Sequence, residues 1–223
     1  MIGRMTALAA AGALLSASAW AQDTRFEVSG NAGWTFSDGV STDVAVVAGD
    51  GNVYNRIDPK DSFSWNFTLG YHFTENWEIE FLYGQQQSKL EVGGTATREI
   101  GDFSVKNYHG VFSYNFGDSH AQARPYIFFG AGATDYPGLS FTRLNGTPGE
   151  IGGNSKFSGT LGLGVKIYPG SHAGLRLQAR WTPTYIKSDS EGYWCDPYWG
   201  CYVVGNAQYS NQFEVTGGLS LRF

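Results

Sequence analysis

The sequence predicts an all-β fold, an eight-stranded antiparallel up-and-down transmembrane β-barrel. Three observations predict it. Eight segments alternate apolar and polar residues with a period of two, as strands with two different environments do. The connections between them are alternately long and short, the layout of a membrane barrel with long loops on one side and tight turns on the other. Aromatic residues gather at both ends of the apolar stripes, as the two interfaces of a bilayer favour.

Composition sets the outer bounds. The chain has 223 residues, 16% aromatic and 16% charged, with 31 Gly; it is too aromatic for disorder and low in charge for a soluble domain. Past residue 21 no stretch approaches the ~18 consecutive apolar residues that a spanning helix requires. The net charge of -5 argues against nucleic acid as a partner, because neutralising phosphates needs clustered Lys and Arg.

The first element is a leader. MIGRMTALAAAGALLSASAWA carries Arg4, an apolar run over residues 7–15 and the small-residue pattern Ala19-Trp20-Ala21. Residues 1–21 are expected to be a signal peptide and residues 22–223 the barrel. The strands follow in order. RFEVSGNAGWTF opens the series. SFSWNFTLGYHF places Phe63, Trp65, Phe67, Leu69, Tyr71 and Phe73 on one face and Ser62, Ser64, Asn66, Thr68, Gly70 and His72 on the other. WEIEFLYGQQQS, DFSVKNYHGVFSYNF, FSGTLGLGVKIY and GLRLQARWTPTYI behave likewise. RPYIFFGAGATDY is apolar on both faces, and its inward side stays open. FEVTGGLSLRF ends the chain, with Phe213, Val215, Gly217, Leu219, Leu221 and Phe223 in one stripe.

Residues 37–61, 89–101, 138–155 and 187–208 read as long connections, rich in Gly, Asp, Asn and Ser, whereas 74–76, 117–123 and 169–173 read as short turns. A soluble barrel or sandwich would bury the same apolar stripe in its core. Against it stand a charged face that recurs strand after strand, the unequal loops and the two aromatic groups. Trp34, Phe36, Phe63, Trp65, Tyr83, Trp181, Tyr185 and Phe213 sit near the long-loop ends; Phe26, Phe73, Trp77, Phe116 and Phe223 sit near the short turns.

These eight strands, the FTLGYHFTENWEIEFLYG hairpin, the ARPYIFFGAG opening and the final GGLSLRF resemble the small outer-membrane β-barrel family, the OmpA-, OmpX- and OmpW-like proteins. The resemblance covers essentially all of residues 22–223. It implies residence in the cell outer membrane, among lipid and lipopolysaccharide. It also implies that the stripe of Phe213, Leu219, Leu221 and Phe223 is an assembly signal for the barrel-assembly machinery. No periplasmic domain of the kind that the longer OmpA relatives carry is expected. The resemblance does not single out a function, because such barrels host adhesins, structural proteins, small conduits and enzymes.

By parity, Glu27, Glu78, Glu80 and Glu214 point into the barrel together with Lys166, Arg176, Arg180 and Arg222. An interior of eight strands is about filled by side chains, and unpaired charges there would be strongly destabilising, so a paired polar plug is expected rather than a pore. No catalytic residues are expected. His109 and Ser113 share the inward face, but four residues along a strand span roughly 13 Å, too far for a nucleophile and its base. No cofactor and no metal are expected: Cys195 and Cys201 without a nearby His make half a coordination shell, and GDGNVYN lacks the spacing of a calcium loop. In an exported chain these two cysteines read as a disulfide. The loop they close carries Tyr193, Trp194, Tyr198, Trp199 and Tyr202, a surface-contact knob for a host or phage ligand or a lipopolysaccharide sugar, or equally a loop resting on headgroups. The functional expectation is a non-catalytic envelope or adhesion protein. The alternatives are an OmpW-like conduit for small hydrophobic molecules, with the strand around Ile127, Phe128 and Phe129 as its one hint, and a lipid-modifying enzyme.

Overall fold

The computed structural model describes residues 25–38, 40–47, 53–95, 97–119, 121–137, 139–142, 148–151, 153–185, 193–196, 200–203 and 209–223. In chain order the strands are β1 (Phe26–Ser37), β2 (Val40–Val47), β3 (Val53–Pro59), β4 (Ser62–His72), β5 (Trp77–Gly94), β6 (Arg98–Asn115), β7 (Ala123–Tyr136), β8 (Leu139–Thr142), β9 (Pro148–Ile151), β10 (Asn154–Ile167), β11 (Ala173–Tyr185), β12 (Tyr193–Asp196), β13 (Gly200–Val203) and β14 (Tyr209–Arg222). Eight of them close on themselves in the order β1-β4-β5-β6-β7-β10-β11-β14, every pair antiparallel. The seam joins Phe26 and Phe223, whose backbone N–H and C=O groups exchange two hydrogen bonds of 2.9 Å. Closure leaves the barrel no free edge, which a strand structure needs where no water is available to satisfy its backbone.

Burial is inverted relative to a soluble protein. Glu, Arg, Lys, Asn, Ser and Thr fill the inside, while Phe67, Leu69, Phe81, Phe112, Ile127, Phe129, Leu161, Leu163, Leu177 and Leu219 lie on the outer surface. So continuous an apolar exterior is not left facing water; its solvent is lipid. Phe26 and Phe36 stand ten residues apart on β1 (36 − 26), a rise of roughly 33 Å. At a strand tilt of roughly 40° that projects to about 25 Å, the height of the apolar band of such barrels. Near the short turns Phe26 meets Tyr71 and Phe223, and Trp77 and Phe116 flank Tyr114. At the other end Phe213 stands opposite both Phe36 and Trp181, and Trp34 opposite Phe63.

The short turns are built from local hydrogen bonds. Thr74 Oγ1 accepts from the N–H groups of Asn76 (3.3 Å) and Trp77 (2.9 Å), the hydroxyl standing in for a backbone acceptor. Gly117, at φ 82°, turns β6 toward β7 through a conformation other residues adopt at a cost.

Two expectations about the long connections need correction. Residues 89–101 are not a loop: β5 and β6 are 18 residues each, nearly twice the ~9–11 needed to span, and only residues 95–97 join them. Residues 37–61 likewise contain β2 and β3, with β3 paired onto the extended part of β5. The other two connections each carry a short hairpin, β8 with β9 and β12 with β13.

Candidate functional site

The barrel interior concentrates the chemistry, because parity sends every second residue of eight strands into one narrow space. Glu27, Glu78, Glu80, Lys166, Arg176, Arg180 and Glu214 are each no more than 4% exposed, and the Arg222 side chain is 11% exposed at the short-turn end. In the lower layer Lys166 Nζ lies 2.8 Å from Glu27 Oε1 and 2.6 Å from Glu78 Oε2. Arg222 Nε reaches Glu27 Oε2 at 3.1 Å. Above it Arg176 Nη2 pairs with Glu80 Oε2 at 2.8 Å, while Ser113 Oγ donates to Glu80 Oε1 at 2.6 Å. Higher still, Arg180 Nη2 pairs with Glu214 Oε2 at 2.8 Å, and Asn66 Nδ2 donates to Glu214 Oε1 at 2.8 Å. Each carboxylate thus has a cation within 3 Å, which is the condition under which charges tolerate burial.

β7 faces inward through Arg124, Tyr126, Phe128 and Thr134, leaving Ile127 and Phe129 in lipid. Tyr126 and Phe128 join Leu82 and Val111 in a packed apolar layer between the charged tiers. Their rings lie over Gly164 and Gly162, their direct cross-strand partners; a Cβ on Gly162 would come within 2.3 Å of Phe128. Arg176 Nε donates to the Tyr126 hydroxyl at 2.8 Å. The upper end is bridged by Gln212 and Gln86 (3.0 Å) and by the chain of Asn107, Thr134, Thr184 and Ser158.

His109 and Ser113 do not meet. Ser113 serves Glu80, and His109 Nε2 lies 2.9 Å from Ser158 Oγ on β10, across the interior. A Ser–His pair is what hydrolases use, yet His109 Nδ1 has no partner to orient the ring, and both residues are enclosed. Glu27, His72 and Glu78 bring one ligand atom each within 4.8 Å of one another, a spacing that could hold a metal. Lys166 already bridges the two carboxylates, so its ammonium supplies the charge that a cation would bring.

Of the other residues singled out from the sequence, the terminal stripe lies on the outer surface. Phe213, Leu219 and Leu221 are lipid-facing, and Phe223 stacks on Phe26 at 6.2 Å between centroids. Cys195 and Cys201 are direct cross-strand partners in the β12–β13 hairpin, as are Trp194 and Tyr202, and Tyr193 pairs with Val203. Tyr198 and Trp199 lie outside the described residues, as does the leader. Sequence reasoning missed Arg124 and Ser158. The signal for Arg124 was present: a charge at the opening of β7 marks its inward parity, which puts Tyr126 and Phe128 inside as well.

The family model for the outer membrane protein beta-barrel domain matches residues 7–223. No curated protein sequence matches the chain significantly. Among solved structures, Neisserial surface protein A is similar with a TM-score of 0.53 and 14% identity, covering 89% of this chain and 97% of that one. The outer membrane protein OprG of Pseudomonas aeruginosa is similar with a TM-score of 0.56 and 13% identity, covering 90% and 96%. At such identities the likeness is one of fold.

Proposed function

Because the chain belongs to the outer membrane protein β-barrel family and resides in the outer membrane, we propose that it is a non-catalytic surface protein that acts through its extracellular hairpins, by contact with a partner surface and in support of envelope integrity. The observation that carries this reading is an asymmetry. The sheet continues past the bilayer on the long-connection side, where β5 and β6 run on together and β3 adds to them. Among the described residues the opposite side has tight turns, and each buried carboxylate of the interior between has a cation beside it. The conduit reading needs an apolar inner path or a lateral gap. Among the described residues the buried apolar cluster is Leu82, Val111, Tyr126 and Phe128, and β7 is paired along both its edges, to β6 and to β10.

On this reading residues 1–21 export the chain, the terminal stripe serves the assembly machinery, and a Cys195–Cys201 disulfide pins the last hairpin. Directly opposed cross-strand positions have Cα atoms ~4.5–5.5 Å apart, inside the range a disulfide spans.

The test compares a non-adherent Gram-negative strain expressing the full chain with one expressing a chain whose β5–β6 hairpin is cut back to the Gln85–Lys106 pair. Retention on epithelial monolayers and on glycan arrays should fall to background with the shortened hairpin. Both proteins should give no discrete conductance steps in planar bilayers. Equal retention would remove the surface role, and stepwise conductance by the full chain would restore the conduit.

A further inference from the structure

The periplasmic mouth holds more buried cations than carboxylates. Its lower tiers contain Glu27, Glu78 and Glu80 against Lys166, Arg176, Arg124 and Arg222, three against four. Lys166, Arg176 and Arg222 each lie within 4 Å of a carboxylate. Arg124 does not. It is 2% exposed; among the described residues its Nη2 donates to the backbone carbonyls of Glu75 (2.8 Å) and Asn115 (3.5 Å), and its Nε has no partner. Arg222 also has an unused donor: Nη2 is buried and unpartnered, while its guanidinium lies flat over the Tyr168 ring, 3.6 Å from the centroid.

Arg124 and Arg222 repel one another and line the same cavity, about 810 Å³, which also touches His72 and Tyr168 and is ringed by the three periplasmic turns. A buried guanidinium with no carboxylate in contact is costly even where Glu27, Glu78 and Asp118 attract it from further off, and the cost is largest for donors that face neither water nor an acceptor. An oxyanion in the cavity supplies the missing negative charge. Guanidinium N–H groups match the geometry of phosphate and carboxylate oxygens, and they bind them with short charge-assisted hydrogen bonds. We propose that this mouth is a binding site for a single oxyanion group of the phosphate class, drawn to the Arg124 and Arg222 guanidiniums that line it. The stack on Tyr168 and the Arg222–Glu27 bond fix one guanidinium; the two carbonyls fix the other. The group can come from free phosphate in the periplasm or from a phospholipid headgroup folded over the short turns.

The experiment follows the arginine Nε–Hε resonances of the protein folded in micelles of an uncharged detergent, during titration with inorganic phosphate at constant ionic strength. The Arg124 and Arg222 signals should move together and saturate, while Lys89→Ala leaves the response unchanged. Arg124→Gln, which keeps an amide for the two carbonyls but no charge, should weaken phosphate binding at least tenfold. A second arm replaces phosphate with short-chain phosphatidylglycerol; a response to the lipid alone identifies the headgroup as the occupant. No response of either resonance to either probe overturns the site, as does an undiminished response in Arg124→Gln. If that variant does not fold, the two wild-type resonances decide by themselves.

Discussion

At the scale of single residues, the interior charges carry the most energy and were the most legible. Period-two parity assigns a side chain to lipid or lumen with no knowledge of the fold, and an acid or base on the lumen side must find a partner. Parity does not say who the partner is. His109 meets Ser158 and Arg176 meets Glu80 across the lumen, and such pairings depend on the stagger of the barrel, which no single strand encodes. Arg124 was missed for a different reason, since the aromatic residues after it on β7 made both faces look alike. Arg180 tests the energetics. Arg180→Ala leaves Glu214 buried with Asn66 and Thr35 as its remaining hydrogen-bond donors and should cost about 3–5 kcal/mol, the usual loss on breaking a buried pair. Lys89→Ala, half-exposed and paired with Glu99 at the surface, should leave stability nearly unchanged. Urea midpoints of the two variants in the same micelles check the difference, and equal midpoints would refute the tiered network.

At the scale of elements, a strand was readable only while it stood in the membrane. The alternation of β5 fades after Gln85 into QQQSKLEVGG, because beyond the bilayer the outer face meets water and no longer selects apolar residues. The sequence therefore looks like a loop although the backbone ladder with β6 continues to Val92. Glycine positions tell the complementary story inside. Gly162 leaves room for Phe128: a Cβ there would also come within 2.5 Å of the Ala179 carbonyl, whereas a Cβ on Gly30 would meet nothing within 4 Å. Gly162→Ala should destabilise the barrel by about 1–3 kcal/mol through overpacking, and Gly30→Ala should be neutral in the same unfolding assay. The last strand allows a kinetic prediction. Phe223 packs only against Phe26 among the described aromatic contacts, so Phe223→Ser should alter the stability of folded barrel by no more than about 1.5 kcal/mol. Insertion into the outer membrane should slow far more, as a terminal assembly signal requires; normal insertion in pulse-labelled cells would assign the stripe to lipid contact alone.

At the scale of the whole molecule, the barrel and what projects from it are held by different forces. The closed ladder and the lipid-facing stripe fix the barrel, and neither includes the β12–β13 hairpin, which forms a separate two-stranded sheet. An isolated two-stranded hairpin is marginal in water, so a covalent link between Cys195 and Cys201 would decide whether it keeps one shape. By the chain-entropy estimate, closing so short a loop contributes about 2 kcal/mol, a quantity that appears in whichever unit unfolds with the hairpin. If the hairpin unfolds independently, Cys195→Ser should leave the barrel midpoint unchanged and lower surface retention, because the ordering of the loop must then be repeated at each encounter. If the hairpin instead seals the barrel top, the same substitution should lower barrel stability by about that 2 kcal/mol, and with it the midpoint, and leave retention intact. We expect the first pair of results, since the separate sheet gives the barrel no ladder bond to lose. Measuring both on one variant, with thiol titration of the wild type to establish the link, assigns the hairpin to the partner surface or to the barrel.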